Sequence, residues 1–146
     1  MKNSTYIFIS ILLFVISLIL PVYWHYSSFI DHYDESASYE LWGGFFLTMG
    51  WMTIFESPPD FVCWLANFTL FFSWLLYKKS FSKILSVTTF VLMILYFINY
   101  ICVADIIQFY QPEDVLFGYW IWLSSSIAML FYHFYPKEIE NIESQI

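Results

Sequence analysis

The sequence contains no arginine, and its basic side chains are five lysines spread along the chain. Twelve acidic residues bring the formal net charge to −7 at pH 7. Nucleic-acid binding depends on clustered basic side chains that neutralise phosphate groups. Because five scattered lysines form no such cluster, the composition argues against a nucleic-acid partner.

Charge of either sign is scarce. Charged residues make up 12% of the 146-residue chain, and hydrophobic residues make up 60%. Soluble domains usually carry about 25% charged residues, so the chain is predicted to be a membrane protein.

The first apolar segment, residues 5–24, exceeds the roughly 7 to 15 apolar residues of a signal peptide, and no small-x-small cleavage pattern follows it. We therefore expect this segment to be a retained helix.

Four apolar segments contain no Asp, Glu, Lys or Arg. About 20 helical residues cross the hydrocarbon core of a bilayer, which is roughly 30 Å thick. Pumps and ion-coupled transporters usually need ionisable groups inside their spans, so the absence of such groups argues against these functions. The predicted spans are residues 5–24, 61–77, 84–104 and 115–135, all within one integral membrane domain (1–146) that ends in a cytoplasmic tail (136–146).

The apolar run from Leu41 to Phe55 is the ambiguous segment. Its 15 residues would give about 22 Å of helix, and it contains three of the four glycines, which make a helix easy to bend or break. We predict that residues 41–60 form a short re-entrant or interfacial helical hairpin. The fold class is thus an all-α membrane protein with four transmembrane helices and this hairpin. The alternative is a fifth span, with the N-terminus outside.

The positions of the lysines favour four spans. If both termini are cytoplasmic, all five lysines lie inside, as the positive-inside rule requires. The five-span alternative breaks the rule at Lys2 only. We therefore predict a multi-pass protein of the bacterial inner membrane with cytoplasmic N- and C-termini. Nine of the twelve acids then face outward.

Imidazole and carboxylate groups gather in the first outer loop and in the hairpin. Such nitrogen and oxygen ligands suit zinc or a similar divalent ion, and the acidic surface would attract cations. The spacing matches no specific metal motif, however, and a solvated acidic loop is the preferred interpretation. The residues of this candidate outer-face site are His25, Asp31, His32, Glu56 and Asp60.

The chain has two cysteines, Cys63 and Cys102, and no C-x-x-C pair. Membrane thiol oxidoreductases use closely spaced pairs, so this pattern argues against thiol redox catalysis. Each cysteine lies three residues from an outer-face aspartate, which predicts similar depths on two antiparallel spans. A structural disulfide would require Cα atoms within about 7 Å. Two free, buried cysteines are the preferred interpretation, and the disulfide is the second.

A few uncharged polar residues interrupt the outer halves of the spans. They are expected at comparable depth, where hydrogen bonds between helices would contribute to packing. The alternative is a polar floor for a cavity that opens outward. The residues of this predicted intramembrane polar layer are Asn67, Asn99, Ser124 and Ser125.

Aromatic residues make up 25% of the chain. Tyrosine and tryptophan commonly anchor spans at the two membrane interfaces, which is the simplest explanation. A cluster around the hairpin could also line a groove for a lipid tail, a quinone or a partner helix.

Short apolar motifs resemble those of a group of small, uncharacterised, multi-span bacterial inner-membrane proteins. The similarity extends over about residues 17–126 and implies the multi-span architecture without an activity. The motifs are Ser17–Pro21 (SLILP), Gly50–Trp51 (GW), Trp64–Asn67 (WLAN) and Gly118–Ser124 (GYWIWLS).

These features favour a non-enzymatic membrane protein that binds a membrane or periplasmic partner through its outer face and aromatic groove. Immunity against a membrane-active toxin, or an accessory-subunit role, fits this description. No cofactor is predicted. The alternative is a lipid- or quinone-binding membrane enzyme with its site at the outer hairpin, where a divalent metal could also bind. A small oligomeric cation channel with acidic rings at its mouth is the third hypothesis.

Overall fold

The computed structural model describes residues 3–26, 38–107 and 115–134, and the predicted helical fold class is confirmed. A two-stranded antiparallel ribbon, β1 and β2, is the one addition within these ranges. In chain order, the elements are α1 (Asn3–Ile19), β1 (Pro21–Tyr26), β2 (Ser38–Trp42), α2 (Gly43–Met49), a single 3-10 turn (Gly50–Met52), α3 (Thr53–Glu56), α4 (Pro58–Trp64), α5 (Ala66–Leu75), α6 (Phe81–Ile107) and α7 (Phe117–Phe134).

The first helix ends earlier than the sequence predicted. Residues 5–24 were expected to be one helix, but α1 stops at Ile19 and the chain continues as β1 from Pro21. Proline lacks the backbone N–H that a helix interior requires, and it disfavours helical geometry at the preceding residue. Beyond it, Tyr23 pairs with Leu41 across the ribbon. The helical prediction was therefore wrong for residues 20–24.

The four longer helical segments form a bundle around a small core. Helix α1 packs along α7, α5 packs along α6, and α6 also packs against α7. Helices α4 and α5 follow one another with an interruption at Leu65. The fully buried residues with large side chains include Leu70, Met93, Tyr119 and Met129, which meet between α5, α6 and α7.

The segment around residues 41–60 folds back on itself as a helical hairpin. The outgoing arm runs from Gly43 to Glu56, and the chain reverses at Ser57. The returning arm, α4, begins at Pro58 and extends to Trp64, beyond the predicted limit at residue 60. The arms pack closely because Gly50 lies against the indole of Trp64, where any Cβ atom would collide with the ring.

One helical stretch in the described ranges, Phe81–Asn99 within α6, has the length and apolar composition needed to cross a bilayer. Two other apolar helical stretches, Ser4–Ile19 and Gly43–Phe55, are shorter.

Large apolar side chains lie on the outside of the bundle, and small polar ones lie inside it. Phe55, Phe117 and Phe8 are 83%, 78% and 67% exposed. A monomeric soluble protein rarely exposes contiguous apolar patches of large area. The buried polar side chains are Ser10, Ser17, Ser73, Ser82, Ser86, Thr89, Ser125 and Ser126.

Candidate functional site

Most of the predicted outer-face site lies outside the described residues. Asp31 and His32 fall in the undescribed segment after β1, and the side chains of His25 and Glu56 are likewise not described. The backbone of His25 pairs with Tyr39 in the ribbon. In the described part of the chain, no three His, Cys, Asp or Glu side chains are grouped so that they could hold a metal ion.

The remaining member, Asp60, contacts an asparagine. It lies in the first turn of α4, and its Oδ1 accepts a hydrogen bond of 2.8 Å from Nδ2 of Asn99 on α6. A carboxylate that accepts such a bond is partly compensated for its loss of water. This pair joins the hairpin to the longest helix.

Asn67 lies at a different level from Asn99, so the two asparagines do not share one polar layer. Seven residues separate Asp60, the partner of Asn99, from Asn67, which corresponds to about 10 Å along a helix. The sequence analysis expected the two asparagines at comparable depth. Helix α6 continues past Asn99 to Ile107, and Asn99 contacts Asp60 and not a residue near Asn67.

Asn67 is the centre of a network that joins four helices. Its Oδ1 accepts a 2.9 Å hydrogen bond from Nε1 of Trp122 on α7, and its Nδ2 donates to the carbonyl oxygen of Trp64 at 3.0 Å. The indole Nε1 of Trp64 in turn donates to the carbonyl oxygen of Leu47 on α2 at 3.3 Å. The Asn67 amide therefore links the hairpin to α7, as the Asp60–Asn99 pair links it to α6.

The two serines of the predicted layer bond to their own helix. Ser124 Oγ donates to the carbonyl oxygen of Trp120 at 2.8 Å, and Ser125 Oγ donates to that of Trp122 at 2.6 Å. Ser125 also joins α7 to α1, because its carbonyl oxygen accepts a 2.7 Å hydrogen bond from Ser10 Oγ.

Ser10 extends this link to a third helix, since its Oγ accepts a 2.9 Å hydrogen bond from Nε1 of Trp74 on α5. The sequence analysis did not identify Ser10 or Trp74. The seven-residue spacing between the buried Ser10 and Ser17, two helical turns on one face, was the available signal.

Cys63 is a free thiol, buried in α4. Cys102 lies on α6, but its side chain is outside the described residues, and so is the predicted disulfide. The state of the two cysteines as a pair therefore stays a prediction.

A second network at the opposite end of the bundle was also missed. Ser82 Oγ donates to the carbonyl oxygen of Ser73 at 2.7 Å and lies 2.9 Å from Nε2 of His133. Because Ser82 donates its hydroxyl proton to the carbonyl of Ser73, the His133 contact must be a hydrogen bond that Nε2–H donates to Ser82 Oγ. Ser82, Ser86 and Thr89 follow the i, i+4, i+7 spacing of a single helix face, which is the sequence signal for this polar stripe.

Two adjoining cavities lie on either side of Asn67 and Leu47, which line both. The first cavity lies beneath the hairpin and has a volume of about 30 Å³, and its wall includes Ser17, Phe46 and Trp122. The second, here called the α1–α5 groove, has a volume of about 150 Å³. The groove is lined by Phe14, Leu47, Asn67, Phe68, Phe71 and Trp74.

The α1–α5 groove has the general character of a ligand site, since its wall is mostly apolar and contains one polar group. The chain matches no known protein-family model. It also matches no curated protein and no solved structure at a significant level.

Proposed function

We propose that this chain is a multi-pass integral protein of the bacterial inner membrane that acts by non-covalent binding. The single observation that carries the proposal is the reversed polarity of the bundle. Phenylalanine side chains such as Phe8, Phe71 and Phe117 face outward, and serines face inward. An apolar surface exposed to lipid tails carries no hydrophobic penalty. Small hydroxylated residues in the interior let the helices approach closely.

The four proposed spans correspond to α1, α4 with α5, α6, and α7. From Pro58 to Leu75, the combined α4–α5 segment has 18 residues and would extend about 27 Å.

The lysines at the turn between α5 and α6 support a cytoplasmic position for that end of the bundle. Lys83 Nζ lies 4.2 Å above the ring of Phe134, and Lys78 Nζ lies 5.4 Å from that of Tyr77, an arrangement suited to a membrane interface.

The proposed activity is recognition of a membrane or periplasmic protein partner through the outer end of the molecule. Exposed aromatic side chains at that end include Trp42, Trp51, Phe55 and Phe117. Aromatic residues are enriched in protein interfaces. The polar groups Asn67, Asn99 and Ser125 hold helices together through hydrogen bonds, which supports a scaffold role for them.

An immunity protein or an accessory subunit of a larger complex would need such a surface. The motif Trp64–Asn67 lies at the centre of the hydrogen-bond network. On the motifs given above, we propose membership of the group of small multi-span inner-membrane proteins that the chain resembles.

Membrane extraction tests the first part of this proposal. Membranes from a bacterium that expresses the tagged chain are washed with sodium carbonate at high pH and then with mild detergent. An integral protein stays in the pellet during the first wash and is released by the second. Release by carbonate alone would contradict the proposal, and a known peripheral protein in the same membranes provides the control.

Partner capture tests the second part. Native mass spectrometry of the detergent-extracted protein should show a second polypeptide at fixed stoichiometry. Trp51→Ala and Phe55→Ala at the outer end should remove it, whereas Phe8→Ala, an exposed residue near the other end, should not. Loss of the second polypeptide in all three variants alike would contradict a binding surface at the outer end.

A second candidate function, binding of a lipid or quinone, is favoured by the α1–α5 groove. The groove combines aromatic walls with one amide, that of Asn67.

A further inference from the structure

We propose that the α1–α5 groove binds a membrane quinone, with a ring carbonyl hydrogen-bonded to Asn67 and the isoprenoid chain leaving the groove into the surrounding lipid. This proposal rests on the membrane placement proposed above.

The groove exists because α1 and α5 each pack mainly against another helix. Helix α1 packs along α7 and α5 along α6, and within the described residues α1 and α5 are not an extensively packed pair. They meet at one end of the groove, where Trp74 donates to Ser10 and its ring lies 5.3 Å from that of Phe14, edge to face. Leu47 of α2 lines the groove beside Asn67.

The groove continues into the outer apolar surface of the bundle. Phe68 and Phe71 line it and are 45% and 51% exposed, so its mouth lies among the side chains that face lipid. A ligand dissolved in the bilayer can therefore enter sideways. None of the lining residues is charged, which suits a neutral ligand.

Asn67 supplies hydrogen-bonding capacity that its protein partners do not use. A carboxamide has two N–H donors and an oxygen that can accept two hydrogen bonds. Asn67 donates one N–H to the carbonyl of Trp64 and accepts one bond from Trp122. Among the described residues, its second N–H has no partner. An amide donor left unpaired beside apolar walls is unfavourable, so the groove selects a ligand with an acceptor oxygen.

The walls of the groove favour a planar ring over an acyl chain. The aromatic rings of Phe14, Phe68, Phe71 and Trp74 provide faces and edges for a planar ring.

The size of the groove excludes a transmembrane helix as its occupant. The groove has a volume of about 150 Å³, which is too small to enclose a helix of about 10–12 Å diameter. This volume is also below the roughly 300–1,000 Å³ of sites that enclose a drug-sized ligand, so the groove holds one ring and the isoprenoid chain stays outside it.

Photoaffinity labelling in nanodiscs of quinone-free synthetic phospholipid tests the proposal. The probe is an azido-substituted benzoquinone, the competitor is decylubiquinone, and labelled peptides are located by mass spectrometry. We expect saturable, competed labelling in peptides of α1 and α5 that contain Phe14 or residues 68–74. Asn67→Leu should weaken competition by roughly five- to tenfold, the effect of about one hydrogen bond.

Phe71→Trp narrows the groove without touching the Asn67 network and should abolish competed labelling. Phe72→Trp is the matched control, because Phe72 is the next residue, is also exposed, and does not line the groove. Uniform labelling of the lipid-facing surface without competition would overturn the proposal. So would competed labelling that both Asn67→Leu and Phe71→Trp leave unchanged.

A third result would show that the groove binds a phospholipid and not a quinone. If native mass spectrometry finds a stoichiometric phospholipid that Phe71→Trp removes and Asn67→Leu retains, the occupant is an acyl chain and the quinone proposal is wrong. Membrane placement is tested separately by carbonate extraction, which needs no quinone. A protein that stays in the membrane pellet but shows no competed labelling therefore contradicts the groove proposal alone.

Discussion

The indole nitrogen of Trp122 and the side-chain oxygen of Asn67, 55 residues apart in sequence, are joined by a hydrogen bond of 2.9 Å. Through the second bond of Asn67 to the carbonyl of Trp64, this contact connects the last helix to the hairpin. One asparagine thus links the bundle, the hairpin and both cavities.

Trp122→Phe should destabilise the protein, because Asn67 loses its donor while the aromatic packing is largely kept. We expect a loss of about 1 kcal/mol, equivalent to a fall in the unfolding temperature of roughly 2–4 °C. Thermal unfolding in a mild detergent measures this change. Trp120→Phe, at an exposed position two residues earlier, is the control, and equal effects in the two variants would contradict the role assigned to Trp122.

Gly50→Ala should loosen the hairpin, because the new Cβ atom would collide with the indole of Trp64. The expected cost is about 1–3 kcal/mol, typical of overpacking. Gly44→Ala should cost less, since its nearest contact would be the carbonyl oxygen of Leu18 at 3.1 Å. Thermal unfolding measures the loss of stability in the two variants, and the rate of limited proteolysis near Ser57 measures how far the hairpin has loosened. A larger effect at Gly44 would contradict the tight contact at Gly50.

Ser82→Ala should weaken the other end of the bundle. The carbonyl of Ser73 would lose a donor and Nε2 of His133 would lose an acceptor, at a cost of about 1–2 kcal/mol. Ser80→Ala, in the exposed turn two residues earlier, is the matched control and should be neutral. Equal unfolding temperatures for the two variants would show that the Ser82 contacts contribute nothing.

Cys63 should resist alkylation in the folded protein. Its side chain is 5% exposed, and reaction with maleimide requires an accessible thiolate. In a Cys102→Ser background, which leaves Cys63 as the only cysteine, N-ethylmaleimide should label the protein slowly until detergent denaturation exposes the thiol. Rapid labelling in the native state would contradict the packing of α4.

Helical content could be predicted from the sequence because the apolar runs are long and free of charge. The end of α1 could have been placed from Pro21 alone, since proline cannot continue a helix interior. The reversal at Ser57 is likewise indicated by Pro58 and Pro59, which disfavour a helix before them and begin α4. The packing of the two arms could not be predicted, because Gly50 and Trp64 are 14 positions apart and no local pattern indicates their contact.

The members of the polar layer were predictable as residue types, but their partners were not. Asn67 and Asn99 are conspicuous in apolar segments, yet their levels follow from how α4 and α5 run together beside the long α6. The donors Trp74 and Trp122 were not identifiable in the sequence, because tryptophan is also an ordinary interface anchor. The α1–α5 groove results from which helices pack together, a property of the tertiary fold.

Reporter fusion at the first outer loop tests the central claim, a four-span bundle with cytoplasmic ends, most directly. Alkaline phosphatase, which is active only outside the cytoplasmic membrane, is fused after Ser28 and, as the internal reference, after Lys79. In a four-span bundle with cytoplasmic ends, the fusion after Ser28 should be active and the fusion after Lys79 should be inactive. No activity at either position would contradict this arrangement and support five spans with an external N-terminus, while activity after Lys79 would contradict both arrangements.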